Sequence, residues 1–344
     1  MLISEFDYHL PQELIAQTPL PKRDHSRMMV CDRKTGEIDH SHFFDILKYF
    51  KKEDTLILNS SKVIPAKIWG SRKDGKSIEF LFLEEKDKNK WVVLCRPAKH
   101  VKLGDNILFG KDMVGRVAEV RPEGKRVLVF QHNDVIAMLK ESGFAPLPPY
   151  IKRKKKDTHV REEDLDRYQT VFAHNEGSIA APTAGLHFTR ELLDSMKEMG
   201  VRICDLSLNV GQATFQPVRV ECVEDHRMLS ENFIISGETS KVINESMVAN
   251  QTVTAVGTTS VRALESAYEG GHVLPGQFST DLFIYPGFEF KVVDRLLTNF
   301  HLPKSTLLML VSAFAGTDFI LEAYREAVRL KYRFYSYGDC MLIL

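Results

Sequence analysis

Residues 252–269, TVTAVGTTSVRALESAYE, pass from one kind of secondary structure to another within a few positions. The apolar run 252–256 predicts a buried strand, Gly257 a turn, and residues 260–269 a helix. Strand and helix patterns alternate from residue 169 onward, which predicts a layered α/β domain. A polar junction of this kind follows the carboxyl end of its strand, where α/β sheets bind ligands.

Four polar junctions occur in this half of the chain, at residues 180–189, 209–215, 256–262 and 298–305, and the first three contain glycine. For any one of them, Ser and Thr could be helix N-caps only and Gly a turn residue only, since such caps are common. Four junctions in one domain instead favour a shared ligand-binding cleft.

Residues 66–131 have a different pattern. Short runs rich in Val, Ile and Phe are separated by turn residues such as Asp74-Gly75 and Glu123-Gly124, which predicts a small all-β barrel. The predicted fold class is therefore multi-domain α/β, a layered α/β domain with an inserted all-β barrel domain. We place the α/β catalytic domain at residues 1–62 and 154–344, and the inserted barrel at residues 63–153.

One motif in the barrel region is misleading. Residues 70–77, GSRKDGKS, match the P-loop pattern, which requires a strand before it and a helix after it to meet the phosphates. Residues 78–83, IEFLFL, instead predict a strand, and Asp74-Gly75 is a hairpin turn signal. We therefore predict a β-hairpin and no nucleotide site here.

Charge and composition limit the possible partners. The chain has 46 Lys and Arg against 46 Asp and Glu, so a uniformly basic nucleic-acid-binding surface is excluded, but a local basic patch is not. The basic run 152–156, KRKKK, is either a solvated linker or a phosphate-contacting strip. No Gly-x-Gly-x-x-Gly follows a strand, which argues against a nicotinamide fold and the common methyltransferase fold.

The cysteines and the apolar runs bear on location. The five cysteines are scattered through the sequence, which favours a reducing compartment. The N-terminus lacks a signal pattern, and no apolar run approaches the roughly 20 residues that span a bilayer. We therefore expect a cytoplasmic protein.

Long, specific strings cover the chain almost from end to end, and on them it resembles the S-adenosylmethionine:tRNA ribosyltransferase-isomerases of queuosine biosynthesis. The strings include FDYHLP (6–11), APTAGLHFT (181–189), VGTTSVR (256–262), TNFHLP (298–303) and SYGD (336–339). Three short strings depart from the family pattern, at residues 60–62, 228–231 and 211–217. Lys62 replaces an Arg and keeps its charge without the bidentate fork, Leu229 replaces a His, and residues 211–217 read GQATFQP.

The resemblance implies a reaction on a modified tRNA. The ribosyl group of S-adenosylmethionine is transferred to 7-aminomethyl-7-deazaguanine at the wobble position and isomerised, which gives epoxyqueuosine-tRNA and releases adenine and methionine. S-adenosylmethionine is then a substrate, and neither a bound cofactor nor a metal is implied. The expected partners are S-adenosylmethionine and the tRNA anticodon stem-loop, without a membrane, and the chain is expected to act as a monomer.

This chemistry requires a base near the acidic C5′ protons, a donor for departing adenine and aromatic faces for the sulfonium. The predicted catalytic residues are His187, His301 and Glu231. Predicted substrate-binding residues are Thr183, Phe188, Asn209, Gly211, Thr214, Phe215, Gly257, Thr258, Arg262, Tyr285 and Asn299. Predicted tRNA-binding residues are Lys152, Arg153, Lys154, Lys155 and Lys156.

Each of these residues also has an ordinary structural interpretation. The histidines could be hydrogen-bonded core residues, the aromatic side chains could be core packing, and Arg262 could pair with Glu265 or Glu269 on its own helix. Two other functions are an RNA-binding protein without chemistry and an ordinary S-adenosylmethionine-dependent methyltransferase. Free adenine as a product would distinguish the predicted enzyme from both.

Overall fold

The computed structural model describes residues 1–110, 112–131, 134–153, 158–211 and 218–344, without the side chains of residues 158–160. Its strands are β1 (Arg27–Asp32), β2 (Glu37–His42), β3 (Thr55–Asn59), β4 (Ser61–Val63), β5 (Lys67–Ser71), β6 (Ser77–Asp87), β7 (Lys90–Arg96), β8 (Asn106–Phe109), β9 (Met113–Val120), β10 (Lys125–Phe130), β11 (Asn175–Ser178), β12 (Arg202–Leu208), β13 (Glu231–Ile235), β14 (Val253–Val256), β15 (Tyr268–Glu269), β16 (His272–Val273), β17 (Gly276–Thr280), β18 (Arg295–Asn299) and β19 (Cys340–Ile343).

The α-helices are α1 (Val135–Ser142), α2 (Thr158–Arg167), α3 (Arg190–Glu198), α4 (Gly237–Val248), α5 (Thr258–Ala267), α6 (Thr306–Ala315) and α7 (Thr317–Arg329). Short 3₁₀ helices lie at Ile3–Phe6, Gln12–Leu14, Arg23–His25, Phe43–Tyr49, Ala98–His100, Pro122–Gly124, Thr183–His187 and Val223–Asp225.

The larger part of the molecule is built on one mixed sheet, with the strand order β17-β13-β12-β3-β14-β18-β19-β1-β2. Strands β12, β3, β14 and β18 run parallel to one another, so their carboxyl ends meet at one edge. Strand β3, in the interior of the sheet, is covered on both faces: Ile57 packs in the cluster that includes α5, α6 and α7, and Leu56 and Leu58 pack with α3. The prediction of a layered α/β fold is confirmed.

Helix α3 forms where its capping residues predict it. The Thr189 side chain accepts a hydrogen bond from the Leu192 backbone N–H at 3.2 Å, and Gly200 follows the helix with a φ of +84°. Leu192, Leu193 and Met196 are buried against the sheet. Each buried side chain of this size contributes about 1.5–3 kcal/mol.

The predicted barrel is also present. Six strands close in the order β10-β7-β6-β5-β8-β9, and Phe80, Phe82, Phe109 and Phe130 fill the interior. The false P-loop is the β5–β6 hairpin, in which Gly70 pairs with Ile78. The hairpin prediction is therefore confirmed.

The two connections to the barrel lie side by side. Strand β4, which precedes the barrel, pairs in parallel with β11, which follows it, and Ser61 lies opposite Asn175. The barrel strands run from Lys67 to Phe130, and Phe144 forms a bridge back to Lys67. The domain boundaries at residues 62–63 and 153–154 stay predictions.

The C-terminal segment differs from its prediction. The aromatic-rich run 332–344 predicts one strand, but only β19 is extended, parallel to β1. The preceding residues turn, because Tyr335 has a φ of +71°. The Asp339 carboxylate holds this turn by accepting hydrogen bonds from the backbone N–H groups of Arg27 at 2.9 Å and Arg333 at 2.8 Å.

No helix among the described residues is long and apolar enough to cross a membrane alone. Helices α6 and α7 reach the required length only as a pair, and the chain bends by 116° between them.

The packing of Gly70 gives a test of the hairpin interpretation. A Cβ at this position would lie 2.5 Å from Ile107 Cγ2 and 2.8 Å from a Phe109 ring carbon. We expect Gly70→Ala to lower the free energy of unfolding by about 1–3 kcal/mol. We expect Lys76→Ala in the exposed turn to change it by less than about 0.5 kcal/mol. Urea unfolding measures both, and a nucleotide that binds the wild type but not Lys76→Ala would contradict the hairpin interpretation.

Candidate functional site

A cavity of about 360 Å³ lies at the sheet edge where β14 and β18 end. Residues from all four polar junctions line it: 181–184, Val210, 257–259 and 298–305. Its volume falls within the range of about 300–1,000 Å³ that small-molecule sites occupy. The predicted convergence of the four junctions on one cavity is therefore confirmed.

Unusual backbone conformations shape this cavity. Gly257, between β14 and α5, has a φ of +86°, and its N–H donates to the Leu297 carbonyl at 2.8 Å. Lys304 and Tyr335 also line the cavity and have φ values of +58° and +71° without being glycines. Non-glycine residues in this region are uncommon and concentrate at functional sites.

His187 lies directly behind the cavity. Its Nδ1 is 2.7 Å from Ser26 Oγ, and its Nε2 is 3.3 Å from Asn299 Nδ2. Burial disfavours the imidazolium and lowers the pKa of His187 to about 4, so the ring is neutral at pH 7. His187 therefore reaches the cavity through Asn299 and does not line it.

The side-chain amide of Asn299 has one hydrogen-bond acceptor without a partner among the described residues. Its Nδ2 donates to the Tyr335 carbonyl at 2.9 Å. Its Oδ1 is buried and has no hydrogen-bond partner among the residues that the structure describes. A buried acceptor without a partner costs about 1–3 kcal/mol, so a ligand that donates a hydrogen bond here would recover that energy.

His301 lines the cavity itself. Its Nε2 is 2.8 Å from Thr298 Oγ1, and its backbone N–H donates to the Tyr324 hydroxyl at 3.0 Å. The Tyr8 hydroxyl donates to the His301 carbonyl. Burial lowers the pKa of His301 to about 3, so this imidazole is also neutral at pH 7.

Glu231 and Arg262 form a buried ion pair outside the cavity. Glu231 Oε1 also accepts from the Gly211 backbone N–H at 3.1 Å, and Arg262 Nε donates to the Leu282 carbonyl at 2.9 Å. The pair joins β13, α5 and two loops. Arg262 thus pairs with Glu231 and with neither carboxylate that the sequence suggested. Glu265 accepts from the backbone N–H groups of residues 291–293, and Glu269 lies in β15, beyond the end of α5.

Besides Arg262, three predicted substrate-binding side chains do not line the cavity. Phe188 is completely buried, with its ring centroid 4.9 Å from that of Phe43. Tyr285 packs at 5.1 Å against Phe283, and Asn209 is exposed. By contrast, Thr183, Gly257, Thr258 and Asn299 line the cavity, and Gly211 lines a larger cleft beside it. Thr214 and Phe215 lie outside the described residues.

The aromatic side chains at the cavity are Tyr150, Phe300 and Tyr335, none of which the sequence analysis selected. The Tyr150 and Tyr335 ring centroids are 4.6 Å apart, and Tyr150 Oη lies 2.7 Å from Ser336 Oγ. The family-like string at 336–339 could have indicated that Ser336, and Tyr335 directly before it, line the cavity. Tyr150 has no such signal, because it follows the barrel in a proline-rich segment.

The predicted tRNA-binding strip is only partly described. Lys152 is exposed, whereas Arg153 makes two 2.8 Å hydrogen bonds to the Asp164 carboxylate. Lys154, Lys155 and Lys156 lie outside the described residues. Of the departures from the family pattern, Lys62 pairs with Glu176 at 3.5 Å, and Leu229 is exposed.

The described residues include no group of three or more His, Cys, Asp or Glu side chains that could hold a metal ion. The polar side chains at the cavity instead carry hydroxyl, amide and imidazole groups and the Lys304 ammonium, which suit hydrogen bonding to an organic ligand.

Comparisons with known proteins agree over the whole chain. The family model described as "Queuosine biosynthesis protein" matches residues 3–343. The S-adenosylmethionine:tRNA ribosyltransferase-isomerases of Halothermothrix orenii and Thermotoga petrophila are 51% and 50% identical over 348 residues, which is 100% of each chain. A crystal structure of the S-adenosylmethionine tRNA ribosyltransferase from Thermotoga maritima is 39% identical, covers 99% of this chain and 100% of that one, and has a TM-score of 0.55.

The two buried histidines predict how stability depends on pH. Their folded pKa values, about 4 and about 3, lie below the usual 6.5, so the unfolded chain binds more protons as the pH falls from about 6.5 to 4. The free energy of unfolding should therefore fall over this range, by about 3 kcal/mol from His187 alone. Urea unfolding at a series of pH values measures the slope.

The control is a histidine on the surface. His187→Gln should flatten the dependence of unfolding free energy on pH, whereas His272→Gln, at an exposed position, should leave the slope unchanged. Equal slopes in the wild type and His187→Gln would contradict the assignment of a neutral, buried His187.

Proposed function

Because the chain belongs to the queuosine biosynthesis protein family, we propose that it is an S-adenosylmethionine:tRNA ribosyltransferase-isomerase. It transfers the ribosyl group of S-adenosylmethionine to 7-aminomethyl-7-deazaguanine at the tRNA wobble position and isomerises it to epoxyqueuosine. Adenine and methionine are released. The observation that carries this proposal is the convergence of four polar loops on one cavity of small-molecule size.

His301 is the proposed catalytic base. The sulfonium makes the neighbouring ribose C5′ protons acidic, and a neutral imidazole can accept one of them. Of the three predicted catalytic side chains, His301 is the one that lines the cavity. His187 and Glu231 are proposed as positioning residues, because they contact Asn299 and the Gly211 backbone respectively.

The polar atoms of the cavity are proposed to orient the nucleoside. Asn299 Oδ1 would accept a hydrogen bond from the substrate, and the hydroxyls of Thr183 and Thr258 could bond the ribose or adenine edges. Arg262 is engaged with Glu231, so we propose Lys304 as the contact for the methionine carboxylate. Lys304 lines the cavity and is half-exposed, with Asp7 at 2.7 Å as its present partner.

Tyr150 and Tyr335 are proposed to hold the sulfonium. No Asp or Glu among the described residues lines the cavity, so no carboxylate there balances the positive sulfur. Aromatic faces attract such a cation by about 0.5–2 kcal/mol each, depending on desolvation. This pair takes the place of Phe188 and Tyr285, whose rings lie elsewhere.

The remaining expectations from the sequence stay predictions. These are the tRNA contacts of residues 152–156, the absence of a bound cofactor or metal, a monomeric state and a cytoplasmic location.

The reaction is tested by its products. The wild-type protein, S-adenosylmethionine and a tRNA carrying 7-aminomethyl-7-deazaguanine should give free adenine, methionine and epoxyqueuosine-tRNA. S-adenosylhomocysteine as the product would indicate a methyltransferase, and binding without either product would indicate an RNA-binding protein. Either outcome would overturn the proposal.

His301→Ala should lower kcat for adenine release by roughly 10²–10⁴-fold, since it removes the proposed proton acceptor. His272→Ala is the matched control on the surface and should retain wild-type kcat. Circular dichroism checks that each variant folds. A folded His301→Ala protein with near wild-type kcat would remove His301 from the chemistry.

The tyrosine assignment is tested with two similar ligands that differ in the charge on sulfur. Tyr150→Leu should weaken binding of S-adenosylmethionine by roughly 2- to 30-fold but leave binding of the neutral S-adenosylhomocysteine unchanged. Tyr150→Phe keeps the aromatic face and removes the hydroxyl that bonds Ser336, so it should bind both ligands nearly as the wild type does. Calorimetry measures each Kd, and equal weakening of both ligands by Tyr150→Leu would contradict the proposal.

A further inference from the structure

A second, larger space lies between the barrel and the α/β domain. Its volume is about 1,060 Å³. The barrel contributes residues such as Lys67, Trp69 and Arg96, and the α/β domain contributes residues such as Arg219 and Arg227. We call this space the interdomain cleft.

The interdomain cleft and the 360 Å³ cavity are lined by residues that are adjacent in the sequence. Tyr150 lines the cavity, whereas Pro149 and Ile151 line the cleft. The same alternation occurs between Val210 and Gly211, and between Val218 and Arg219. Three segments thus contribute to both spaces, so a molecule held in the cleft lies next to one held in the cavity.

The carboxylates of the cleft are mostly neutralised. Glu79 lies 3.3 Å from Lys67 Nζ, Asp164 binds Arg153, and Glu123 lies 3.5 Å from Lys125 Nζ. Asp225 is the remaining acidic residue of the cleft lining, and it is exposed.

Four arginines that line the same cleft have no acidic partner among the described residues. Arg96, on the barrel, and Arg219 and Arg227, on the α/β domain, are exposed, whereas Arg161 is half-buried and donates to the backbone carbonyls of residues 140, 141 and 143. Arg227 donates only to the backbone carbonyls of residues 224 and 226. The chain as a whole is neutral, so this local excess of guanidinium groups favours an anionic partner.

Aromatic rings accompany these charges. Trp69 and Phe144 line the cleft with ring centroids 4.9 Å apart, and both are partly exposed. Lys67 Nζ lies 5.3 Å from the Trp69 ring centroid, and the Arg161 guanidinium lies 5.7 Å from that of Phe144. Basic groups interleaved with aromatic faces are typical of sites that hold unstacked nucleic acid.

We propose that the interdomain cleft binds the anticodon loop of the substrate tRNA, with phosphates on Arg96, Arg219 and Arg227 and an unstacked base on Trp69. This proposal rests on the proposed function and assigns the place of its polymeric substrate. In this arrangement the barrel and the α/β domain would each contact the RNA from one side of the cleft. The target base then reaches the nucleoside cavity past the segment that carries Tyr150.

The test uses the full-length protein and a short anticodon stem-loop RNA. We expect the triple variant Arg96→Gln, Arg219→Gln, Arg227→Gln to bind this RNA roughly tenfold more weakly per arginine at low salt. The slope of log K against log salt should become shallower by about 2–3, since about 0.7–0.9 is lost per phosphate contact. Affinity for S-adenosylmethionine should be unchanged, and the KM for tRNA should rise with little change in kcat.

The matched control is Arg116→Gln with Arg325→Gln, which removes exposed arginines of both domains that do not line the cleft. This control should keep the wild-type slope. Trp69→Leu should weaken RNA binding by roughly 5- to 100-fold at every salt concentration, and Trp69→Phe should restore most of it.

The results of these experiments can distinguish failure of the cleft assignment from failure of the proposed function. An active wild type, together with a triple variant whose RNA affinity and salt slope are those of the wild type, would overturn the cleft assignment and leave the enzyme activity standing. Equal losses in the triple variant and the control would also overturn it, as would a slope that changes only when residues 152–156 are replaced by Gln. Absence of adenine release by the wild type would overturn the proposed function itself.

Discussion

The parallel pairing of β12, β3, β14 and β18 is the constraint on which the candidate site depends. Parallel strands end at one edge, so the polar segments that follow β12, β14 and β18 meet without any long connection. Strand β3 is buried on both faces, so its backbone hydrogen bonds to β12 and β14 are shielded from water. The geometry of the cavity is therefore fixed by the most protected part of the fold.

Apart from Lys304, which pairs with Asp7, the polar side chains that line the cavity are neutral, although its proposed ligand carries a positive sulfur. Both nearby imidazoles are held in their neutral form by burial, and the buried carboxylate of Glu231 is already paired with Arg262. A free carboxylate beside the sulfonium would stabilise the bound ground state strongly. Aromatic faces and hydroxyl dipoles stabilise the cation less, which leaves the ribose more reactive toward loss of a proton.

The sequence was informative about elements and less informative about side-chain directions. Strands, hairpins and caps follow local patterns, so the barrel, helix α3 and the meeting of the four junctions could be predicted. The sequence could not show which aromatic ring faces the cavity. Phe188 is turned into the core by its packing against Phe43, whereas the left-handed backbone at Tyr335 accompanies a ring that lines the cavity. The partner of Arg262 also lies 31 residues away, on a strand that pairs with β12.

The parallel pairing of β4 and β11 brings together the two points at which the chain leaves and re-enters the α/β sheet region. Paired strands lie about 4.8 Å apart, so the chain departs for the barrel and returns from it at nearly the same point. An insertion that begins and ends together imposes little strain on its host, and its length and fold are free to vary. Tyr150 also lies between these two strands along the chain and lines the 360 Å³ cavity, so a replacement module would substitute the six barrel strands, Lys67 to Phe130, and keep the segment from Phe144 to β11. Such an exchange would separate small-molecule chemistry from polymer recognition in one engineered chain.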